Sequence, residues 1–343
     1  MRRALLLPIF FLAACVGTDI VPDTTSGGTR GPEGDDGGDA LPVVSDTDIV
    51  TEGTLMGVAY ADGHFVAVGH YPSAAVPDDG WIVASEDGRV WSEILRRPAS
   101  RLTSVAYGAG RWVAVGWDIW PTGNDYERAQ TVLVSDDGVE WTETSAPSRD
   151  VVETVVWTGW EFLVGPYGLW ASEDGVSWEA RSSGPWPLLV VGDSIFGGGN
   201  GAVSVTIDGG RSWTSSPLPE YASVFGLWKE GETMAGSAVK MRSLGYPVIH
   251  RYYDLRSDDA LSWEMTEGPE DAYYPVQVVH GDGASVAILY FNALGFRDGS
   301  QDEWTYSGRG AAGLAWGAGV FVAVFKSTVA WSLDGETWTE VEL

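Results

Sequence analysis

An all-β fold, a β-propeller of seven four-stranded antiparallel blades, is what the sequence predicts for most of this 343-residue chain. A heptapeptide of the form SxDGxxW, intact or degenerate, recurs seven times. A pair of short apolar runs around a glycine-containing turn precedes each copy. The seven heptapeptide tryptophans are roughly 34 to 50 residues apart, which is the repeat length of a propeller blade. Counting the repeats therefore predicts the number of blades.

The paired apolar runs predict the first two strands of each blade. The clearest copies are MGVAYADGHFVAVG from Met56, TSVAYGAGRWVAVG from Thr103 and AGLAWGAGVFVAVF from Ala312. Runs rich in valine, alanine and aromatic residues on both sides of a glycine turn are typical of an antiparallel hairpin. The strand before the heptapeptide and the strand after its tryptophan bring the number to four per repeat. Radial repetition of such units leaves only short strand edges.

The heptapeptide is predicted to form the turn between the third and fourth strands. Its serine ends the third strand, its aspartate accepts hydrogen bonds from turn amides, its glycine permits a positive φ, and its tryptophan starts the fourth strand. A catalytic group is needed once, whereas a turn clamp is needed in every blade, so we interpret these residues as structural. They are Ser85, Asp87, Trp91, Ser135, Asp137, Trp141, Ser172, Asp174, Trp178, Thr206, Asp208, Trp213, Ser257, Asp259, Trp263, Asp298, Trp304, Ser332, Asp334 and Trp338.

This pattern resembles the Asp-box, or BNR, repeat of sialidase-like propellers, over about residues 53–343. The resemblance implies the fold but no single function, because such proteins include sialidases, other glycan-active enzymes, photosystem assembly factors and many uncharacterised surface proteins. The arginine-isoleucine-proline motif of sialidases is absent from the sequence. Arg89, Arg211 and Arg297 fall in heptapeptide turns, opposite to where that family places its active site. The resemblance therefore does not favour sialidase activity.

The first residues predict export. Arg2 and Arg3 precede the run ALLLPIFFLAA, which is too short to cross a bilayer and is typical of a signal peptide over residues 1–14. Cys15, the single cysteine, follows, and LAAC resembles the bacterial lipobox, whose cysteine is lipidated. The resemblance implies a lipoprotein anchored by its acyl chains, with an ordinary secretory signal as the alternative. In a Gram-negative cell, Val16 favours the outer membrane or cell surface.

The segment after the signal peptide predicts a tether. Residues 15–45 are rich in glycine, aspartate, threonine and proline and poor in large apolar side chains, a composition typical of a flexible linker. The propeller is assigned to residues 46–343. Whether residues 46–52 add a strand that helps to close the ring is left open by the sequence.

The charge balance excludes several classes of partner. The formal net charge is −28, and it becomes −30 when Arg2 and Arg3 leave with the signal peptide. Such a surface disfavours nucleic acid and anionic lipid, so membrane contact is expected only through the lipid anchor. A cationic partner or loosely held divalent cations are compatible with this charge, and maintenance of solubility is the simpler explanation.

Apparent catalytic motifs fall at ordinary turn and strand positions when the sequence is aligned to the repeats, and no metal-binding spacing is found. The lipase-like GDS at Gly192 falls in the turn between the first two strands of the fourth repeat, and glycines 197–199 fall at the end of its second strand. The four histidines, His64, His70, His250 and His280, have no paired spacing, and no carboxylate cluster has metal-ligand spacing. We therefore expect neither a metal nor a cofactor.

The irregular connections are predicted to share one face of the ring. The heptapeptide turns lie on one side, the heptapeptide face; second-to-third-strand and blade-to-blade connections lie on the other, the long-loop face. The long connections are residues 70–80, 117–130 and 237–254. Loop aromatics on a rigid scaffold are candidate ligand contacts. The candidates are Trp117, Trp120, Tyr126, Arg128, Trp186, Tyr246, Tyr252, Tyr273 and Tyr274. The alternative for Trp117, Trp120 and Tyr246 is that they cover the blade below.

These features together predict a monomeric, non-enzymatic binding or scaffold lipoprotein whose long-loop face holds a protein or a glycan at the cell surface. A glycoside hydrolase or lyase, sialidase-like and acting through the same face, is the alternative. An assembly factor resembling the photosystem type is a third possibility, which the acidic charge and the missing basic patch disfavour.

Overall fold

The computed structural model of this protein describes residues 53–71, 78–122, 125–147, 152–166, 169–181, 184–185, 188–199, 201–242, 249–269, 274–289, 293–298 and 304–343. Residues 1–52, with the predicted signal peptide, Cys15, the tether and the segment 46–52, lie outside the described residues. No helix in the described ranges has the length and apolar character that a membrane crossing needs.

Seven sheets of four consecutive antiparallel strands make up the described chain, which confirms the predicted seven-bladed propeller. Blades 1 to 4 are β1 (Thr54–Ala61), β2 (His64–Tyr71), β3 (Asp79–Ser85), β4 (Ser92–Arg97); β5 (Ser100–Gly108), β6 (Arg111–Thr122), β7 (Asp125–Ser135), β8 (Thr142–Thr144); β9 (Val152–Trp157), β10 (Phe162–Pro166), β11 (Trp170–Ser172), β12 (Glu179–Ala180); and β13 (Leu188–Val191), β14 (Ser194–Gly198), β15 (Ala202–Thr206), β16 (Thr214–Pro217). Blades 5 to 7 are β17 (Ser223–Glu230), β18 (Thr233–Arg242), β19 (Ile249–Ser257), β20 (Glu264–Glu267); β21 (Pro275–His280), β22 (Ala284–Leu289), β23 (Ala293–Asp298), β24 (Thr305–Gly310); and β25 (Gly313–Gly317), β26 (Val320–Val324), β27 (Thr328–Ser332), β28 (Thr339–Glu342).

The core lies between neighbouring blades, and the second strand of a blade contributes apolar side chains to it from both faces of the sheet. In β2, Phe65 and Ala67 pack against blade 7, whereas Val66 and Val68 pack against blade 2. Successive side chains of a strand point to opposite faces of the sheet, so a strand covered on both faces is a continuous apolar run. This is why the hairpin motifs read FVAV and WVAV rather than alternating apolar and polar residues.

Five first strands, which contact one another around the centre of the ring, carry a β-bulge at the same place near the long-loop face. One extra residue interrupts the pairing of the first strand with the second in blades 1, 2, 3, 5 and 6. A bulge bends a strand and increases its twist. The bulged residues are Met56, Thr103, Glu153, Phe225 and Val276.

The ring closes between blades 1 and 7 by packing. The backbone N–H of Leu55 donates to the carbonyl of Lys326 at 2.9 Å. The guanidinium of Arg89 lies 4.6 Å from the ring centroid of Trp331. Within the described ranges, no strand of either blade is exchanged with the other. In the described chain, blades 1 and 7 are therefore joined by side-chain contacts and the Leu55–Lys326 backbone hydrogen bond, and not by a sheet that contains strands from both ends of the propeller.

Candidate functional site

The heptapeptide turn is held by its own aspartate, as blade 2 shows. Asp137 Oδ1 accepts hydrogen bonds from the amides of Val139 and Glu140, both at 2.8 Å, and from the Ser135 hydroxyl at 3.0 Å. The Gly138 amide donates to Ser135 Oγ at 2.8 Å. The indole N–H of Trp141 donates to the Gly138 carbonyl at 3.0 Å, and Trp141 lies one residue before β8. Backbone donors of the turn therefore occupy the carboxylate.

The same clamp recurs around the ring with small variations. Five more aspartates accept at least one turn amide and one hydroxyl: Asp87, Asp174, Asp208, Asp259 and Asp334. In blade 6, Asp298 ends β23, and the rest of the turn up to Trp304 lies outside the described residues. The amides of Ser262 and Leu261 lower the pKa of Asp259 to about 2. A carboxylate bound in this way stays ionised and does not donate a proton near neutral pH.

The heptapeptide tryptophans differ in how their indole N–H groups are satisfied. Those of Trp91 and Trp338 donate to the glycine carbonyl of the same turn, at 3.0 and 2.8 Å. Three other indole N–H groups are buried with no hydrogen-bond partner within the described chain: Trp178, Trp213 and Trp263. Trp304 instead has the Arg297 guanidinium 4.7 Å from its ring centroid. The turn therefore depends on the aspartate more regularly than on the tryptophan.

Two hairpins extend furthest on the long-loop face. Strands β6 and β7 pair without interruption out to Thr122 and Asp125, but β8 pairs only with residues 132–134 of β7. Strands β18 and β19 pair out to Arg242 and Ile249, but β20 pairs only with residues 253–256 of β19. The outer parts of both hairpins therefore extend beyond their fourth strands, although the Gly268 amide still donates to the Tyr252 carbonyl at 3.1 Å in blade 5. They belong to blades 2 and 5, on roughly opposite sides of the ring.

The candidate residues of blade 2 are divided between the core and this hairpin. Trp117 is buried, and the Arg128 guanidinium lies 5.7 Å from its ring centroid. Arg128 itself is exposed. The backbones of Trp120 and Tyr126 lie on the extended part, opposite Glu127 and Pro121 respectively. Trp117 therefore covers its blade, whereas Arg128 remains available to a partner.

The candidate tyrosines of blades 5 and 6 form a buried pair. The rings of Tyr252 and Tyr274 are stacked, with centroids 5.1 Å apart and an interplanar angle of 13°. Both side chains are buried with Phe225 and Val239. The Tyr274 hydroxyl donates to the Pro269 carbonyl at 3.2 Å, and burial raises its pKa to about 12. This pair packs the junction and offers no exposed ring to a ligand. Trp186, Tyr246 and Tyr273 lie outside the described residues.

Tyr221 is an exposed aromatic residue that sequence reasoning missed. It lies between β16 and β17 on the long-loop face, and 71% of its surface is exposed. Its neighbour Glu220 accepts hydrogen bonds from Lys240 Nζ at 2.6 Å and from the Tyr253 hydroxyl at 3.3 Å. Its place in a blade-to-blade connection was the available signal. That connection is short, and candidate contact residues are predicted only in the longer connections.

Ion pairs join blades 1 and 2 on the long-loop face. Arg101 Nε donates to Asp78 Oδ2 at 2.8 Å, and Arg97 pairs with Asp118 at 2.5 Å. Burial and then the Arg101 charge lower the pKa of His70, beside Asp78, to about 4. Arg97 of β4 reaches forward to Asp118 of β6, whereas Arg101 of β5 reaches back to Asp78, just before β3. The arrangement therefore fastens two blades together.

The remaining chemistry on this face is sparse. Burial raises the pKa of the Glu153 carboxyl, at the bulge of β9. The GDS sequence lies on the other, heptapeptide face, at the turn between β13 and β14, with Gly192 at a φ of 56°. In the part of the chain that the structure describes, no three His, Cys, Asp or Glu side chains are grouped to hold a metal ion.

Comparisons with known proteins add the fold and nothing finer. No protein family and no curated protein matches the sequence. The structure is similar to YCF48 bound to D1 peptide, with a TM-score of 0.55, 11% identity, and coverage of 81% of this chain and 92% of that chain. It is similar to YCF48 from Cyanidioschyzon merolae, with a TM-score of 0.52, 12% identity and coverage of 82% and 95%.

A third similar structure is the β-propeller domain of the Trilobed protease from Pyrococcus furiosus, which is described as having an open velcro topology. The TM-score is 0.53, the identity is 11%, and the match covers 84% of this chain and 97% of that chain. At such identities the likeness shows the fold alone. The chain is thus a seven-bladed β-propeller.

Proposed function

We propose that this protein is a non-enzymatic binding or scaffold protein that presents its long-loop face to a partner at the cell surface. In this proposal the chain is exported, loses residues 1–14 and is anchored through lipid on Cys15. The partner is a protein segment or a glycan, bound by a monomeric ring without a cofactor. The observation that carries the proposal is the pair of extended hairpins in blades 2 and 5.

The hairpin edges favour a protein segment as the partner. Strand β8 pairs only with residues 132–134 of β7, so the outer edge of residues 125–129 extends beyond β8. An uncovered strand edge can add a further strand from another chain, through main-chain hydrogen bonds. Arg128 and Tyr221 supply exposed side chains beside the two hairpins. The similar propeller YCF48 has been determined with a bound D1 peptide, and this supports a peptide as the kind of partner proposed.

A shortened hairpin tests the proposal. Residues 119–128 are replaced with Asn-Gly, which removes four cross-strand residue pairs. Hydrogen-bonded and non-hydrogen-bonded pairs alternate along an antiparallel hairpin, so removing an even number keeps the kind of pair that flanks a two-residue turn. Peptides are selected from a random phage-displayed library against the mature chain. We expect their affinity for the shortened variant to fall by at least about tenfold, because the strand edge is gone.

A matched control uses the same dipeptide on the other face. Asp62 and Gly63, both with positive φ, form the turn between β1 and β2, and Asn-Gly fits this turn without removing an edge. This control should bind the selected peptides like the parent. Equal affinity of the peptides for the shortened variant would refute the proposed edge.

A parallel array separates the other ligand classes. Retention of sialosides or polysaccharides, with no peptide selected, would assign a glycan as the ligand. Hydrolysis of any of these sugars that is lost in Glu153→Gln would support the glycoside hydrolase alternative, because Glu153 combines burial with a raised carboxyl pKa on this face.

A further inference from the structure

The heptapeptide face is not only structural, because it exposes apolar side chains at regular places. Nine large apolar side chains of the described residues are exposed. Six of them lie on this face: Val90, Val139, Trp160, Ile207, Leu261 and Leu333. Single exposed apolar residues are normal on a protein surface, but a concentration on one face marks an interaction surface.

The heptapeptides of blades 1, 2, 4, 5 and 7 each expose one aliphatic side chain, although its position in the turn changes. Ile207 and Leu333 occupy the second position, and Leu261 and Val139 the fifth. Val90 occupies the sixth position, and 73% of its surface is exposed, compared with 77% for Ile207. Val176 of blade 3 is half-buried. Turn geometry would demand a residue at one fixed position, so the turn itself does not explain these side chains.

Contacts between blades make the turns neighbours. Arg111 bonds Asp136 Oδ1 at 2.7 Å and the Asp174 carbonyl at 3.2 Å, which joins the turns of blades 2 and 3. Arg211 of the fourth turn lies 3.6 Å from Glu179, just after the third turn. Arg89 packs on Trp331, which precedes the seventh turn. The exposed aliphatic side chains therefore follow one another around the rim of the ring.

The same contacts leave the rim with a negative charge. Described basic side chains on or beside the turns are engaged within the protein: Arg89, Arg111, Arg211, Lys229, Arg256 and Arg297. Glu86, Glu140, Glu173 and Glu336 are exposed, and none of these four forms a salt bridge with another described residue. A partner for this rim must therefore supply cations as well as apolar side chains.

We propose that the heptapeptide face is a second interaction surface, which takes a basic polypeptide segment with interspersed apolar side chains. Its lysines or arginines meet the unpaired glutamates, and its apolar side chains pack on the aliphatic rim. Anionic lipid does not fit, because the rim carries the same sign of charge. This surface is independent of the long-loop face and of the function proposed for it.

Synthetic peptides test this surface on the mature full chain. The probes are a peptide of alternating lysine and leucine, its lysine-serine counterpart and its glutamate-leucine counterpart, with affinity measured by titration calorimetry. The variant combines Val90→Ser, Val139→Ser, Leu261→Ser and Leu333→Ser, all at exposed positions. We expect it to bind the lysine-leucine peptide at least about tenfold more weakly than the parent does. The lysine-serine peptide should bind both proteins weakly and alike.

The charge contribution has its own variant. A second variant replaces Glu86, Glu140, Glu173 and Glu336 with glutamine. It should bind the lysine-leucine peptide more weakly than the parent does, and its affinity should depend less on salt, since exposed charges are screened by salt. A control with Leu343→Ser removes an exposed apolar side chain away from the heptapeptide face. It should bind like the parent.

Three outcomes would overturn the proposal. In the first, the serine variant binds the lysine-leucine peptide within about twofold of the parent. In the second, the glutamate-leucine peptide binds as tightly, so charge plays no part. In the third, the parent binds phosphatidylcholine–phosphatidylglycerol vesicles and the serine variant does not, which would make the rim a membrane contact.

Discussion

At the residue scale, the fifth heptapeptide keeps its turn conformation although alanine stands in place of glycine. Ala260 has a φ of 59°, close to the φ of 74° at Gly88 and 75° at Gly138. Asp259 still accepts the amides of Leu261 and Ser262, at 2.9 and 2.7 Å. The aspartate clamp therefore imposes the left-handed conformation on a residue whose Cβ opposes it.

Ala260→Gly should stabilise the protein. The left-handed conformation costs an alanine about 1 to 2 kcal/mol, and the greater freedom of glycine in the unfolded chain offsets part of that gain. We expect the free energy of unfolding, measured in urea, to rise by about 0.5 to 1 kcal/mol. Ala180→Gly, at an exposed position in β12, is the control and should lower it. A loss of stability in Ala260→Gly would show that the alanine methyl group contributes packing that outweighs the strain.

At the element scale, the fourth heptapeptide has an extra residue that accommodates an ion pair of blade 3. Arg181 Nη2 lies 2.9 Å from Glu161 Oε2, and both side chains are 4% exposed. The added residue gives the turn two glycines with positive φ, Gly209 and Gly210. A Cβ on Gly209 would lie 2.0 Å from Glu161 Oε1. The longer turn, with glycine at this position, therefore leaves room for the Glu161 carboxylate between blades 3 and 4.

The buried pair predicts a non-additive mutant cycle. Arg181→Met leaves the Glu161 carboxylate buried without its partner and should cost about 3 to 5 kcal/mol. Glu161→Gln should cost less, because Arg181 still pairs with Glu179. The double variant leaves no buried charge, so its cost should be smaller than the sum of the two, as measured by urea unfolding. Arg251→Ala breaks an exposed pair with Glu267 and should cost less than about 1 kcal/mol. Additive costs at Glu161 and Arg181 would mean that the two side chains act separately.

Local patterns predicted the elements well, and contacts between blades account for what was missed. The partners of Asp137 lie within its own heptapeptide, so the sequence window that shows the motif also contains its bonds. Tyr274 is buried by Phe225, Val239 and Tyr252 of blade 5, which lie too far away in sequence for a local pattern to show the contact. Tyr221 was missed because its connection between β16 and β17 is short, although its position between two blades was a signal for exposure.

At the scale of the whole molecule, one repeated contact builds the ring and closes it. The heptapeptide glycine of a blade faces the second strand of the preceding blade. In each case a Cβ built on the glycine would lie within 3.5 Å of a valine of that strand. The pairs are Gly138 with Val66, Gly175 with Val113, Gly335 with Val286, and Gly88 with Val322. Blade 1 therefore meets blade 7 as every other of these blades meets its predecessor.

Gly88→Val should loosen the ring at its closure. A Cβ at Gly88 would lie 2.7 Å from Val322 and 3.0 Å from Val320, so the larger side chain pushes blades 1 and 7 apart. Gly63→Val is matched in backbone strain, since the φ values are 74° and 79°, but nothing lies within 4 Å of a Cβ at Gly63. We expect Gly88→Val to destabilise the protein by about 1 to 3 kcal/mol more than Gly63→Val does, which is the range for overpacking a core.

Amide hydrogen exchange locates the effect of Gly88→Val. Because the junction lacks a shared strand in the described chain, exchange should accelerate in β1 and β25 to β27 and remain unchanged in β17 to β20 on the far side of the ring. The Gly63→Val protein should show no such regional change. Uniform acceleration in all seven blades of Gly88→Val would instead mean that the ring opens only by global unfolding, with the junction no weaker than the other blade interfaces.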